Sequence, residues 1–204
     1  MHRKTHWETV YQTKPSDTVS WFEPAPTRSM ALLTSAGLTT SSDVIDVGGG
    51  DSLLAGALLD HGVGHVTVLD ISGAALARAQ ARLGDRAAEV TWIEGDITGV
   101  ELPPTSYDLW HDRAVFHFLT AADDRAQYIA AAARCVRAGG ALIIATFAPD
   151  GPTRCSGLEV VRYSPEDLAS AFEEAFVLRH GFVDTHRTPG GAEQRFSFAV
   201  LSRR

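Results

Sequence analysis

The chain has 204 residues, 45% hydrophobic and 21% charged, enough apolar material for one α/β domain and little room for a disordered tail. Its formal charge of −7 argues against an electrostatic grip on nucleic acid, which usually needs a basic face. Cys135 and Cys155 form no CxxC pair, and the longest apolar run, near Ala141 to Ala148, is too short for a bilayer. The composition thus excludes a disulfide framework, a zinc knuckle and a membrane span, indicates no secretion, and fits a reducing cytoplasm.

In the first forty residues Trp7, Val10 and Tyr11 fall at helical spacing behind Thr5 and Glu8, which read as a capping box, and an aromatic loop, Trp21-Phe22-Glu23-Pro24, follows. Thr27 to Ala36 reads as a second helix. From Asp43 onward short β-branched runs alternate with amphipathic stretches, the pattern of parallel strands joined by helical crossovers. The pattern predicts strands over 43–48, 65–70, 89–94, 107–111, 140–147, 176–184 and 194–201, and helices over 51–61, 72–83, 121–137 and 165–175. Ser72, Thr120 with Asp123, and Ser164-Pro165 with Asp167 mark helix starts. The last two strands follow one another through Thr188-Pro189-Gly190-Gly191, which predicts an antiparallel hairpin at the sheet edge. Residues 1–204 are expected to form one domain, with 1–40 as a helical, aromatic lid and 41–204 as the core.

The chemistry concentrates in Val44-Ile45-Asp46-Val47-Gly48-Gly49-Gly50-Asp51, a strand running into glycines and then a helix, where the backbone approaches a ligand closely. Asp70 ends the next strand, where a carboxylate accepts from both hydroxyls of a ribose, and Glu94-Gly95-Asp96-Ile97 ends the third, where one accepts from an adenine amino group. A dinucleotide site wants a third glycine where Leu53 stands, and Asp46 is a poor neighbour for a pyrophosphate. Asp46 suits a ligand carrying an ammonium and a sulfonium, either touching it or fixing the amides of the glycine turn. The chemistry points to S-adenosylmethionine.

Asp46-Val47-Gly48-Gly49-Gly50, Asp70 and Gly95-Asp96-Ile97 resemble motifs I, II and III of class I S-adenosylmethionine-dependent methyltransferases, over roughly Asp43 to Phe147. The resemblance implies a Rossmann-like sheet of seven strands, mostly parallel, with helices on both faces and the last strand antiparallel. It also implies Gly48 and Gly50 against the methionine part, Asp70 on the ribose, and Asp96 with the Ile97 backbone on the adenine. Ser52 departs from the further glycine of many members. The candidate cofactor set is Trp7, Tyr11, Trp21, Asp46, Gly48, Gly49, Gly50, Asp70, Ile71, Asp96, Ile97 and His111.

In open parallel sheets the ligand crevice lies at the carboxyl ends of the strands, so the segment after the fourth strand, Trp110 to Phe118, faces the acceptor. It resembles the corresponding segment of small-molecule methyltransferases, in which a histidine often follows two apolar residues, as His117 does. His117 is the candidate catalytic base, with a packed ring as the alternative; Arg113, Phe116, Phe147 and Cys155 are the candidate acceptor contacts. His111-Asp112 has no third ligand at recognisable spacing, so no metal is expected. Methyl transfer needs alignment and water exclusion more than acid–base groups, so no triad is expected either.

The expected function is methyl transfer to a small, largely apolar or soft acceptor, with neither nucleic acid nor membrane as partner. Two rivals stand beside it. His6-Trp7-Glu8-Thr9-Val10-Tyr11 resembles the N-terminal segment of a group of protein lysine methyltransferases, yet Asp112-Arg113-Ala114-Val115 replaces their Asp/Glu-Lys-Gly-Thr sequence. The other is a non-catalytic domain that binds S-adenosylmethionine.

Overall fold

The computed structural model describes residues 3–204; residues 1–2 of the expected lid lie outside the described residues. Two helices, α1 (Arg3–Thr13) and α2 (Thr27–Ser35), precede β1 (Asp43–Val47), α3 (Leu54–Asp60), β2 (His65–Asp70), α4 (Gly73–Leu83), β3 (Val90–Glu94) and β4 (Tyr107–Arg113). Then come α5 (Ala122–Cys135), β5 (Val136–Phe147), a small hairpin of β6 (Arg154–Cys155) and β7 (Leu158–Glu159), α6 (Pro165–Ala171), β8 (Phe176–Arg187) and β9 (Glu193–Arg203). Seven strands form one sheet in the order β3-β2-β1-β4-β5-β9-β8; the first five are parallel, and β9 runs antiparallel to both β5 and β8. This is the mixed sheet that the sequence pattern and the resemblance imply.

The central strands are apolar on both faces because helices cover both. On one side Val44, Val66 and Val68 pack with Leu33, Leu54 and Leu58 of α2 and α3; on the other Ile45, Val47 and Ile144 pack with Tyr128 and Ala132 of α5 and Leu168 and Phe172 of α6. Burying these side chains stabilises the sheet by roughly 1.5–3 kcal/mol for each large one. No helix among the described residues is long and apolar enough to cross a membrane.

Helix starts follow the sequence signals in two places and not in two others. Ser72 accepts from the Ala75 amide, and Ser164 with Asp167 forms a complete capping box with Pro165 at the first turn. At α5 the capping residue is Ala121, without a side-chain bond; Arg125 instead reaches back to the carbonyls of Leu119 and Thr120 and holds the incoming chain. At α1 the helix already runs at Arg3, so Thr5 lies inside it, and Glu8 accepts from the Ala74 amide and the Ser72 hydroxyl at the start of α4. One helix therefore caps another, and α1 comes to rest at the carboxyl ends of β1 to β3.

Candidate cofactor site and its acceptor wall

Where β1 ends, the chain turns through Gly48, whose φ of +69° is open to glycine and strained for other residues. A Cβ there would lie 1.9 Å from Val115 Cγ2, so the turn and the segment after β4 pack backbone against side chain. Gly50 (φ +38°) passes so close to Asp70 that a Cβ would meet its Oδ2 at 2.6 Å. The glycines thus serve close approach, as the motif requires.

Two adjoining cavities open at this end of the sheet and share Tyr11, Trp21, Gly48 and Arg113 in their walls. The larger encloses about 780 Å³, solvent at its mouth included, and runs from Asp70, Ile71, Asp96 and Ile97 to Phe118 and Cys155. The smaller, about 670 Å³, lies over Asp46, Gly49, His111, Ser29 and Glu23.

Asp70 is buried, and its Oδ1 accepts from the Ser72 amide at 2.8 Å. Burial pushes its carboxyl up to about 7, a rise that Asp46 and Glu8 assist and the Ser72 amide opposes. A carboxylate so short of donors, in a cavity wall, suits two ribose hydroxyls. Asp96 makes an Asx turn with the Thr98 amide and hydroxyl and lies 3.6 Å from Arg3 Nε, so α1 reaches over the end of β3. The residues present fit S-adenosylmethionine.

A roof of aromatic rings closes the larger cavity. Trp7 meets Phe118 at 5.0 Å and Trp21 at 5.7 Å between centroids, both edge to face, and Tyr11 meets Trp21 at 6.2 Å. Burial holds the Tyr11 phenol well above its ordinary pKa, so it stays protonated. Such rings remove water while exposing few polar atoms.

Asp46 and His111 belong to a buried relay. His111 Nδ1 lies 2.7 Å from Asp46 Oδ1 and Nε2 lies 2.9 Å from Ser29 Oγ, so the ring ties β1, β4 and α2 together. Both ring nitrogens are engaged. Neighbouring Asp112 points to the opposite face, where its carboxylate accepts from the Val115 and Phe116 amides and the Tyr128 hydroxyl.

The segment after β4 departs from expectation. Asp112 folds it back on itself, with Ala114 at φ +77°, and this turns Phe116 into the core against Tyr128 and Phe172. Phe118, three residues after Val115, is the ring that reaches the cavity. His117 lines neither cavity: it is fully buried, Nδ1 accepts from the Phe147 amide at 3.3 Å, and burial alone pushes its pKa down to about 3. Phe147 packs on Phe196 and also lies inside the core. Arg113 and Cys155 do line the larger cavity, Cys155 from the β6–β7 hairpin, with its thiol pushed up to about 11 by burial.

Sequence reasoning assigned no role to Glu23, Ser29 or Arg3. Glu23 carried a signal, an acidic residue inside an aromatic, proline-bounded loop; Ser29 and Arg3 carried none.

Residues 45–144 match the family model described as a methyltransferase domain. An uncharacterized methyltransferase of Mycobacterium tuberculosis is 36% identical over 104 residues, 51% of this chain and 50% of that protein. A malonyl-[acyl-carrier protein] O-methyltransferase of Paenibacillus sp. is 30% identical over 128 residues, 60% of this chain and 45% of that one. The chain's matches thus span about half the length of these curated relatives. Among solved structures, an S-adenosylmethionine-dependent methyltransferase of Anabaena variabilis aligns with TM-score 0.77 over 100% of this chain and 96% of that one, at 14% identity. A structure concerning conversion of a disulfide bond into a thioacetal group during echinomycin biosynthesis aligns with TM-score 0.74 over 99% and 92%, at 19% identity. Identities this low speak to the fold alone.

Proposed function

We propose that this chain, which belongs to the class I S-adenosylmethionine-dependent methyltransferases, transfers a methyl group from that cofactor to a small-molecule acceptor. The observation that carries the proposal is the single cavity whose walls hold Asp70, Gly48 and Asp96 at one end and the rings of Trp7, Trp21 and Phe118 at the other.

When bound, S-adenosylmethionine supplies a methyl group made electrophilic by its sulfonium. Asp70 and Asp96 fix the nucleoside, the glycine turn fixes the direction of approach, and the aromatic roof excludes water. Beyond the nucleoside carboxylates, the ionisable groups at the aromatic end are Arg113, Tyr11 and Cys155, and burial keeps the phenol and the thiol protonated at neutral pH. With His117 behind the wall, the reading is an acceptor whose nucleophile needs no protein base, a soft or already deprotonated atom. The protein-lysine reading gains no support, because Asp112 is buried and caps its own loop.

The test is transfer of labelled methyl from S-adenosylmethionine to fractionated small-molecule pools and, in parallel, to protein extracts. Label in a small-molecule fraction, with S-adenosylhomocysteine formed in step, supports the proposal; label in protein alone, or cofactor binding without turnover, overturns it.

A further inference from the structure

The carboxylate that the glycine motif would offer to a ligand's ammonium is already engaged. Asp46 Oδ1 faces His111 Nδ1 at 2.7 Å, and its Oδ2 lies under Gly49, where an added Cβ would approach to 2.5 Å. Two further carboxylates line the same cavity, and one of them, Asp51, is taken by Arg78 and Arg82. Glu23, from the loop between α1 and α2, meets Arg113 Nη2 through Oε1 at 3.0 Å, and His186 Nδ1 lies 3.7 Å from the same oxygen. Arg113 is fixed from three sides: Nη1 donates to the Trp21 carbonyl at 2.9 Å, Nη2 lies 3.4 Å from His186 Nδ1, and the guanidinium sits 5.6 Å from the Phe196 ring centroid. The His186 ring is held in turn by Nε2 donating to the Ser20 carbonyl at 2.7 Å. Side-chain exposures of 25% for Glu23 and 15% for Arg113 place the pair largely out of water, where charge is felt more strongly.

A fixed anion and a fixed cation 3.0 Å apart in one cavity wall match a carboxylate and an ammonium borne on one carbon. We infer that Glu23 and Arg113 clamp the α-amino-acid end of the cofactor, ammonium on Glu23 and carboxylate on Arg113, and select for ligands that carry that end. The inference rests on the function proposed above. The relay through His111 and Ser29 then holds the glycine turn, and a residue outside the glycine motif supplies the anion.

Calorimetric titration with two ligands tests the clamp: S-adenosylhomocysteine, and 5′-methylthioadenosine, which keeps the nucleoside and thioether but lacks the amino-acid end. Glu23→Gln and Arg113→Gln should each weaken S-adenosylhomocysteine on the order of tenfold to a hundredfold, and leave 5′-methylthioadenosine within about twofold of wild type. Retained 5′-methylthioadenosine binding also reports that the variant is folded. If either glutamine variant fails to fold, Glu23→Asp and Arg113→Lys decide on the same two-ligand comparison. Equal loss for both ligands, or unchanged S-adenosylhomocysteine affinity, overturns the clamp alone. Wild type binding neither ligand overturns the proposed function and the clamp with it.

Discussion

Glu8 and Ser72, 64 residues apart, are joined by a 2.8 Å hydrogen bond in which the Ser72 hydroxyl donates to Glu8 Oε2. Because Glu8 also accepts from the Ala74 amide, the N-terminal helix is anchored to the first turn of α4, beside Asp70. Replacing Glu8 with Ala should lower stability by about 1 kcal/mol, the usual cost of a lost cap, and loosen the seat of Trp7 and Tyr11. Urea denaturation gives the first quantity, and faster amide exchange confined to residues 3–13 the second. Exchange that rises equally across the sheet would show that Glu8 serves the fold as a whole.

Asp70 sets opposite pH dependences for the free protein and for binding. Its folded carboxyl, at about 7, stands above the ordinary 3.8, so this group favours the folded state fully below pH 3.8 and loses that contribution as pH rises through 7. Ribose hydroxyls prefer the ionised form, so affinity for S-adenosylhomocysteine should be greatest above pH 7 and fall as pH drops below it, with proton release on binding. Asp70→Asn should therefore melt higher than wild type at pH 8 without ligand, yet bind more weakly by about 1.5–3 kcal/mol. Calorimetry in buffers of different ionisation enthalpy counts the released protons; no release near pH 6.5 would contradict this account.

Gly48→Ala should fail for two reasons with separable remedies. The positive φ costs roughly 1–2 kcal/mol in a non-glycine residue, and the new methyl collides with Val115. Val115→Ala in the same chain should recover the packing loss and leave the backbone loss. Chemical denaturation of the single and double variants checks the partition; full recovery would mean that backbone strain contributes nothing.

His117 should govern acid stability and leave the pH dependence of turnover alone. Its folded pKa, about 3, lies below the ordinary 6.5, so the unfolded chain takes up a proton that the folded chain refuses, and stability falls as pH drops below 6.5. His117→Asn should flatten that part of the stability profile relative to wild type. Turnover with an identified acceptor, followed against pH, should keep its shape in the variant. A profile that loses a limb would return His117 to the reaction.

The strand order was legible because β-branched runs and glycine turns are local signals, and the meeting of Gly48, Asp70 and Asp96 in one cavity wall was legible because each stands at the end of a strand. The acceptor wall was not. Which of Phe116, His117 and Phe118 faces the cavity is decided by Asp112, whose carboxylate takes two amides of its own loop, and a strand-end aspartate looks the same in sequence whether it faces ligand or loop. Glu8 misled for a related reason: a glutamate three residues after a threonine has the spacing of a cap, but its partners lie on another helix. The relay of Ser29, His111 and Asp46 spans separations of 82 and 65 residues and exists only once α2 lies across β1 and β4.

The seating of α1 on α4 also orders events during synthesis. At 11 residues α1 is too short to hold helical form by itself, and the partners that fix it, Ser72, Asp96 and Asp124, are made long after it. A helix translated before the whole sheet is therefore among the last elements to take its place, and nascent chains arrested before Asp124 would carry the glycine turn and Asp70 without a closed chamber above them. Ligand capture would then begin only near the end of folding, when a bound nucleoside favours the finished chain over its unroofed precursors.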